Sequence, residues 1–138
     1  MSKKPNRVVQ YRIANEKFLE QKAQEGGIIA LESGILLRLL EKGSGDRFPR
    51  QNSIVYVRYT GRLIDGTVFD STDGQALPAC FCVRDLIAGW QAALLRMHEG
   101  DKYELFIPAK YGYGSAKMDG IPAWSTLCFE LELVKIAG

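Results

Sequence analysis

The stretch from Thr126 to Ile136 (TLCFELELVKI) constrains the fold more than any other part of the chain. Leu127, Phe129, Leu131 and Leu133 recur at every second residue, with Cys128, Glu130 and Glu132 between them. A period of two puts the two sets on opposite faces of a pleated strand, so the run predicts a strand packed on one side and wet on the other. Sheets of that kind are antiparallel and need tight turns. The chain supplies the turns: 14 of its 138 residues are glycine, above the usual share of about 7%. At roughly 150 residues per domain the length allows one core and not two.

Other strands follow from composition and alternation. Ile35 to Leu40 lies between Ser33-Gly34 and Gly43-Ser44-Gly45, and Ser53 to Thr60 (SIVYVRYT) is rich in residue types that suit a pleated surface. In the latter, Val55, Val57 and Tyr59 share one face, and Ile54, Tyr56, Arg58 and Thr60 the other. Asp65-Gly66 marks a turn dividing Gly61 to Ile64 from Thr67 to Asp70, and Lys102 to Pro108 (KYELFIP) is a further strand.

Two segments read as helices. From about Asp85 to His98, Leu86, Ile87, Trp90, Ala93, Leu94 and Met97 form a continuous apolar stripe that Gly100 ends. From about Asn6 to Glu25 a second helix is expected, with Pro5 ahead of it, Asn6 as its cap and Gly26-Gly27 as its stop. Its apolar residues (Val8, Val9, Tyr11, Ile13, Phe18, Leu19, Ala23) make only a ragged stripe, which leaves docking on the domain or on a partner chain and a free, solvated arm equally open. A mainly antiparallel sheet covered by one amphipathic helix is an α+β domain.

Composition removes several function classes. The 46% apolar and 25% charged residues are those of a globular chain. A net charge of +2, with no run of like charge beyond the Lys3-Lys4 pair, lacks the concentrated basic face that nucleic acid requires. No stretch reaches the roughly 20 apolar residues of a membrane span. Met1 to Gln24 has no apolar signal-peptide core, so a soluble, cytoplasmic protein is expected, or a periplasmic one if a leader has been removed. Three cysteines, Cys80, Cys82 and Cys128, make no disulfide framework. Cys80-x-Cys82 lacks the further ligands a structural metal needs, because His98 is the only histidine; the expected reading is buried or half-buried thiols, with no metal and no cofactor. His98 reads as a surface residue at a helix end, and the glycines form no phosphate loop, so nucleophile, kinase and dehydrogenase chemistry lose their main support.

What remains is a density of aromatic and aliphatic residues beside turns. Tyr59-Thr60-Gly61-Arg62-Leu63-Ile64-Asp65-Gly66-Thr67-Val68-Phe69-Asp70-Ser71 fits Y-T-G-x-L-x-D-G-x-x-F-D-S. Leu86-Ile87-Ala88-Gly89-Trp90, Ile107-Pro108, Tyr111-Gly112-Tyr113-Gly114, Ile121-Pro122 and Ser125 to Leu133 follow in order. Together these motifs, running from about Gly34 to Ile136, resemble the FKBP-type peptidyl-prolyl cis/trans isomerases, the macrolide-binding immunophilins. The helix ahead of them resembles the linker helix of bacterial members with an N-terminal extension. The expected organisation is therefore an N-terminal helix and linker over 1–33 and an isomerase-like domain over 34–138.

The resemblance implies a five- or six-stranded antiparallel sheet wrapped around one short helix, with an apolar pocket for a substrate proline. It implies Trp90 as the pocket floor and Tyr59, Phe69, Phe81, Leu86, Ile87, Tyr113, Ile121 and Phe129 as walls. It further implies that the amide of Ile87 and the hydroxyl of Tyr113 bond substrate carbonyls, with Asp70 at the rim facing the twisting amide. Proline-containing polypeptides are the expected partners, with macrolides as inhibitors and a monomer or a homodimer through the N-terminal helix as the assembly. Two departures stand out. Only Gln75 is present where the family often has an arginine that holds the aspartate, and Ala79 replaces a rim phenylalanine. Both leave open a non-catalytic proline-peptide-binding or chaperone module on the same fold.

Overall fold

The computed structural model describes residues 6–138; Pro5, expected ahead of the first helix, lies outside the described residues. The first helix, α1 (Arg7–Lys22), begins where Asn6 caps it, the Asn6 side chain accepting from Val9 N–H at 2.9 Å. Seven strands follow around a second helix: β1 (Ile29–Ala30), β2 (Leu36–Glu41), β3 (Ile54–Arg62), β4 (Val68–Ser71), β5 (Ala79–Cys82), α2 (Ala88–Leu94), β6 (Lys102–Ile107) and β7 (Leu127–Ile136).

All pairings are antiparallel, in the order β1-β2-β6-β7-β3-β4, with β5 also on β3. β4 pairs with Thr60 to Arg62 and β5 with Ile54 to Val57, so the two take successive halves of one edge of β3. The seven strands thus fill the breadth of the five- or six-stranded sheet expected from the motifs. The alternating run forms the centre, flanked by β6 and β3. Its alternation holds through Leu133 and then slips by one residue: Val57 faces Leu133 but Tyr56 faces Lys135, so Val134 bulges outward and Ile136 returns to the core.

The inner sheet face and α2 form one core. Val55, Val57, Leu105, Ile107, Leu127, Leu131 and Leu133 of the strands are fully buried with Leu94 of α2 and Met97 just beyond it. Gly89 permits the contact: a Cβ there would lie 2.5 Å from Ile107 Cγ2.

Two sequence expectations are corrected, and one left open is resolved. The helix expected over Asp85 to His98 is α-helical only over Ala88–Leu94; Val83–Asp85 form a 3-10 turn, and Leu86 and Ile87 are extended. The apolar stripe is continuous because these residues all point into one core, not because they share one helix. Cys80 is exposed, since β5 pairs only with β3 and its outer face meets solvent; Cys82 and Cys128 are half-buried. Finally, of the two placements left open for α1, the structure shows docking on the domain: Tyr11, Phe18, Leu19 and Ala23 of its stripe are half-buried, and Phe18 packs on Phe106 at 6.0 Å. Asn15 is buried, with 2% exposure, while Val8, Val9 and Ile13 remain exposed.

Candidate active site

Trp90 lies at the first turn of α2 and is 4% exposed. Three rings stand near-perpendicular to it: Tyr59 from β3 at 4.9 Å, Phe129 from β7 at 5.2 Å and Phe81 from β5 at 6.1 Å between centroids. Phe69 from β4 meets Phe129 edge-on at 5.5 Å. Edge-to-face pairs of this kind stabilise by about 0.5–1.5 kcal/mol each beyond their buried area. The arrangement is therefore rigid as well as apolar. Gly61 on β3 makes room for it, since a Cβ there would lie 2.6 Å from both Phe129 and Phe69.

These side chains enclose a cavity of about 310 Å³ lined by Tyr59, Phe69, Asp70, Phe81, Asp85, Leu86, Ile87, Trp90, Tyr113 and Phe129. That is the lower end of the range of about 300–1,000 Å³ for small-ligand pockets. Nine of the ten sequence-derived site residues meet here. Ile121 is the exception: buried at 6% exposure, it lines an adjoining depression of about 210 Å³ with Phe69, Asp70, Tyr113, Met118 and Asp119. The backbone bridge between Met118 and Ile121 folds the Ser115 to Gly120 loop into a tight turn that sets this depression beside the main one.

Polar groups are few and placed at the mouth. Tyr59 O–H donates to Asp70 Oδ2 at 2.7 Å, so the aspartate is oriented by β3 without an arginine. Gln75 does not reach it. Its backbone carbonyl accepts from Arg58 at 3.3 Å, and Arg58 also reaches the carbonyl of Ala76 at 3.4 Å. Burial, then the Asp70 carboxylate and Tyr113, push the Tyr59 phenol well above its ordinary value, which keeps it a proton donor. Tyr113 stands at the rim, 37% exposed. Ala79, opposite Val57 on β5, lines neither depression.

The extended segment before α2 leaves Ile87 N–H with no protein acceptor among the described residues. Gln91 holds that segment open: its Nε2 donates to the carbonyls of Leu86 at 2.7 Å and Arg84 at 3.2 Å. Trp90 Nε1 is likewise buried without a partner among the described residues. Sequence reasoning missed Gln91 and the wall residue Asp85. A signal was present for Asp85, which directly precedes Leu86-Ile87; Gln91 lies off the apolar stripe, and its bonds to backbone carbonyls leave no mark in the side-chain pattern. His98, by contrast, lies outside both depressions; it stacks on Phe48 at 3.9 Å and its backbone N–H donates to buried Asp101.

Comparison with known proteins points to the same family as the motifs. The family profile described as FKBP-type peptidyl-prolyl cis-trans isomerase matches residues 45–134. The "FKBP-type 22 kDa peptidyl-prolyl cis-trans isomerase" of Escherichia coli (strain K12) is 45% identical over 121 residues, 87% of this chain and 58% of the relative. The "Outer membrane protein MIP" of Legionella longbeachae is 39% identical over 122 residues, 88% of this chain and 52% of the relative. Among solved structures, FkpA from Escherichia coli superposes with a TM-score of 0.88 at 32% identity, covering 94% of this chain and 60% of that one. The chain thus spans between half and two thirds of the length of these relatives.

Proposed function

The chain belongs to the FKBP-type peptidyl-prolyl cis-trans isomerases, and from that premise we propose that it accelerates rotation about X-Pro peptide bonds in folding or client polypeptides. The observation that carries this reading is the Trp90-floored aromatic well with an unbonded Ile87 N–H on its wall and the Tyr113 hydroxyl at its rim. A proline ring on Trp90 brings the carbonyls of its neighbours to those two donors.

The chemistry follows from the amide. Rotation crosses a barrier of about 18–20 kcal/mol because the twisted state loses resonance, while the cis and trans states of X-Pro differ by only about 0.5–1 kcal/mol. A catalyst therefore has to bind the twisted amide better than either planar form. Asp70, turned toward the mouth by Tyr59, faces the rotating amide, and the aromatic walls remove the water that favours the more polar planar carbonyl. No nucleophile, metal or cofactor enters this account. Tyr59, Phe69, Phe81, Leu86, Trp90 and Phe129 grip the substrate, Ile121 contacts a residue flanking the proline, and Asp70, Tyr113 and Ile87 act on the amide.

Macrolides that present a proline-like ring would compete for the same well and quench Trp90 fluorescence. A binding module without catalysis is the second reading, supported by the exposure of Asp70 and by Tyr59 as the one side-chain partner of its carboxylate among the described residues. An assay on a proline tetrapeptide separates the two: acceleration over the spontaneous rate at micromolar protein supports the isomerase, and binding without acceleration supports the module.

For assembly, we propose a monomer or a dimer through α1, whose Val8, Val9 and Ile13 are exposed; sedimentation decides. For location, the name of the Legionella relative favours an envelope setting over the cytoplasmic one expected from the sequence. Fractionation of the producing cell distinguishes them.

A further inference from the structure

Helix α1 grips the chain segment that leads out of the pocket rim. Tyr11 Oη lies 2.8 Å from Ser125 Oγ. Asn15 accepts from the buried Thr126 N–H at 2.7 Å and donates to the Tyr11 carbonyl at 2.8 Å. Between these two, the Arg12 guanidinium lies 3.8 Å above the centre of the Trp124 ring.

Trp124 is unusual in its backbone. Among the described residues it is the only non-glycine with a positive φ, 66°. Bulky L side chains rarely adopt that conformation, and it persists only where surrounding contacts over-determine it. Here the contacts are identifiable. The ring is covered by Arg12, the next two residues are hydrogen-bonded to α1, and Trp124 N–H donates to the Gly114 carbonyl at 2.9 Å. Gly114 is the residue after Tyr113 and is itself left-handed, at φ 58°, with its N–H bonded to the Ala109 carbonyl at 2.7 Å. A continuous chain of contacts therefore runs from α1 through Trp124 and Gly114 to the rim tyrosine.

The stack is not what keeps α1 on the domain. Its distal end is held separately, by Phe18 against Phe106 at 6.0 Å and by Arg38, which binds both Glu104 and Glu25 just beyond the helix. Removing the Arg12 side chain thus leaves the helix attached and frees only the Trp124 segment.

We propose that α1 is a strut for the pocket rim, in which Arg12 and Trp124 are positioning residues that hold Tyr113 through the Gly114 carbonyl. The kinetic consequence rests on the isomerase reading; the structural consequence does not. Loss of a cation–π contact at an exposed site corresponds to about a two- to fivefold change in an equilibrium or rate.

The test uses the full chain and four variants: Arg12→Ala, Arg12→Lys, Trp124→Gly, and the double Arg12→Ala/Trp124→Gly. Lys17→Ala, exposed on α1, is the control. Amide resonances of Tyr113 and Gly114 and kcat/KM for a proline tetrapeptide are measured together. The strut requires that Arg12→Ala move both amides and lower kcat/KM about two- to fivefold, that Arg12→Lys recover part of each change, and that Lys17→Ala do neither. Glycine accepts the left-handed backbone without strain, so Trp124→Gly removes the stack and keeps the fold. The double variant then loses no more than Trp124→Gly alone. Unmoved Tyr113 and Gly114 amides in Arg12→Ala, or additive losses in the double variant, would overturn the proposal. If the wild-type chain proves inactive, the isomerase reading fails while the amide shifts and their additivity still decide the strut.

Discussion

Tyr59 on β3 and Asp70 on β4 are joined across the mouth of the pocket by a 2.7 Å hydrogen bond from phenol to carboxylate. The two side chains are brought together by the Asp65-Gly66 turn, where Gly66 takes φ 90° and the Leu63 carbonyl accepts its N–H. The bond orients a carboxylate that is otherwise in solvent, so it matters to geometry more than to charge. Tyr59→Phe removes the donor and keeps the ring. With a net hydrogen-bond contribution of about 1 kcal/mol, kcat/KM in a peptide isomerisation assay should fall about fivefold, and the melting temperature should change little. Because burial and Asp70 raise the Tyr59 phenol above its ordinary 10.0, the wild-type rate should show no titration of this group up to pH 10.

Stability should decline on the alkaline side. Burial raises the Cys128 thiol from its ordinary 9.0 to about 12, and burial also raises Tyr59 and Tyr103. In each case the folded state keeps a proton that the unfolded chain releases, so the unfolded state binds fewer protons and unfolding becomes easier as pH rises. For Cys128 the contribution is complete below about pH 9 and is lost between 9 and about 12. Urea midpoints measured from pH 8 upward should therefore fall, and less steeply in Cys128→Ala. At pH 8 a thiol reagent should label exposed Cys80 and spare Cys128.

Gly61 is where a single methyl group would most damage the pocket. A Cβ would sit 2.6 Å from Phe129 and from Phe69, two rings that line the cavity. Overpacking of this kind costs about 1–3 kcal/mol. Gly61→Ala should lower the melting temperature and, by splaying the two rings, weaken proline-peptide binding. The signature is altered Trp90 fluorescence, since Phe129 packs directly on that indole at 5.2 Å.

Asn15 links α1 to β7 by satisfying a backbone donor that is buried at 1% exposure, Thr126 N–H. Asn15→Ala leaves that donor unpaired, at a cost of about 1–3 kcal/mol. Asn15→Asp keeps an acceptor for Thr126 N–H but buries a carboxylate with one oxygen against the Tyr11 carbonyl. Urea denaturation should rank wild type above both Asn15→Ala and Asn15→Asp.

The sheet was legible wherever residues alternate. β7, β3 and β6 match the expected runs within a residue or two at each end; in β7 burial on one face writes a period of two into the chain, whereas β6 buries Leu105, Phe106 and Ile107 in succession and is read from its residue types. The pocket walls were legible through the motifs that carry the family resemblance; the same residues read singly look like core. Three features escaped, each for a physical reason. α2 is shorter than its apolar stripe because 3-10 and extended residues also point inward. The docking of α1 adds a buried amide and a cation over a ring to the packing of Phe18 on Phe106, and hydrophobic periodicity records neither of the first two. The role of Gln91 depends on bonds to backbone carbonyls, which no side-chain pattern reveals.

The central claim is that this pocket favours the twisted X-Pro amide over its planar forms. Exchange NMR on a proline tetrapeptide measures isomerisation rate and affinity in one sample, for the wild-type chain and for Asp70→Ala. The account predicts that the wild type exceeds the spontaneous rate and that Asp70→Ala loses more in rate than in affinity. Peptide binding with no acceleration by the wild type, or equal losses of rate and affinity in Asp70→Ala, would contradict it.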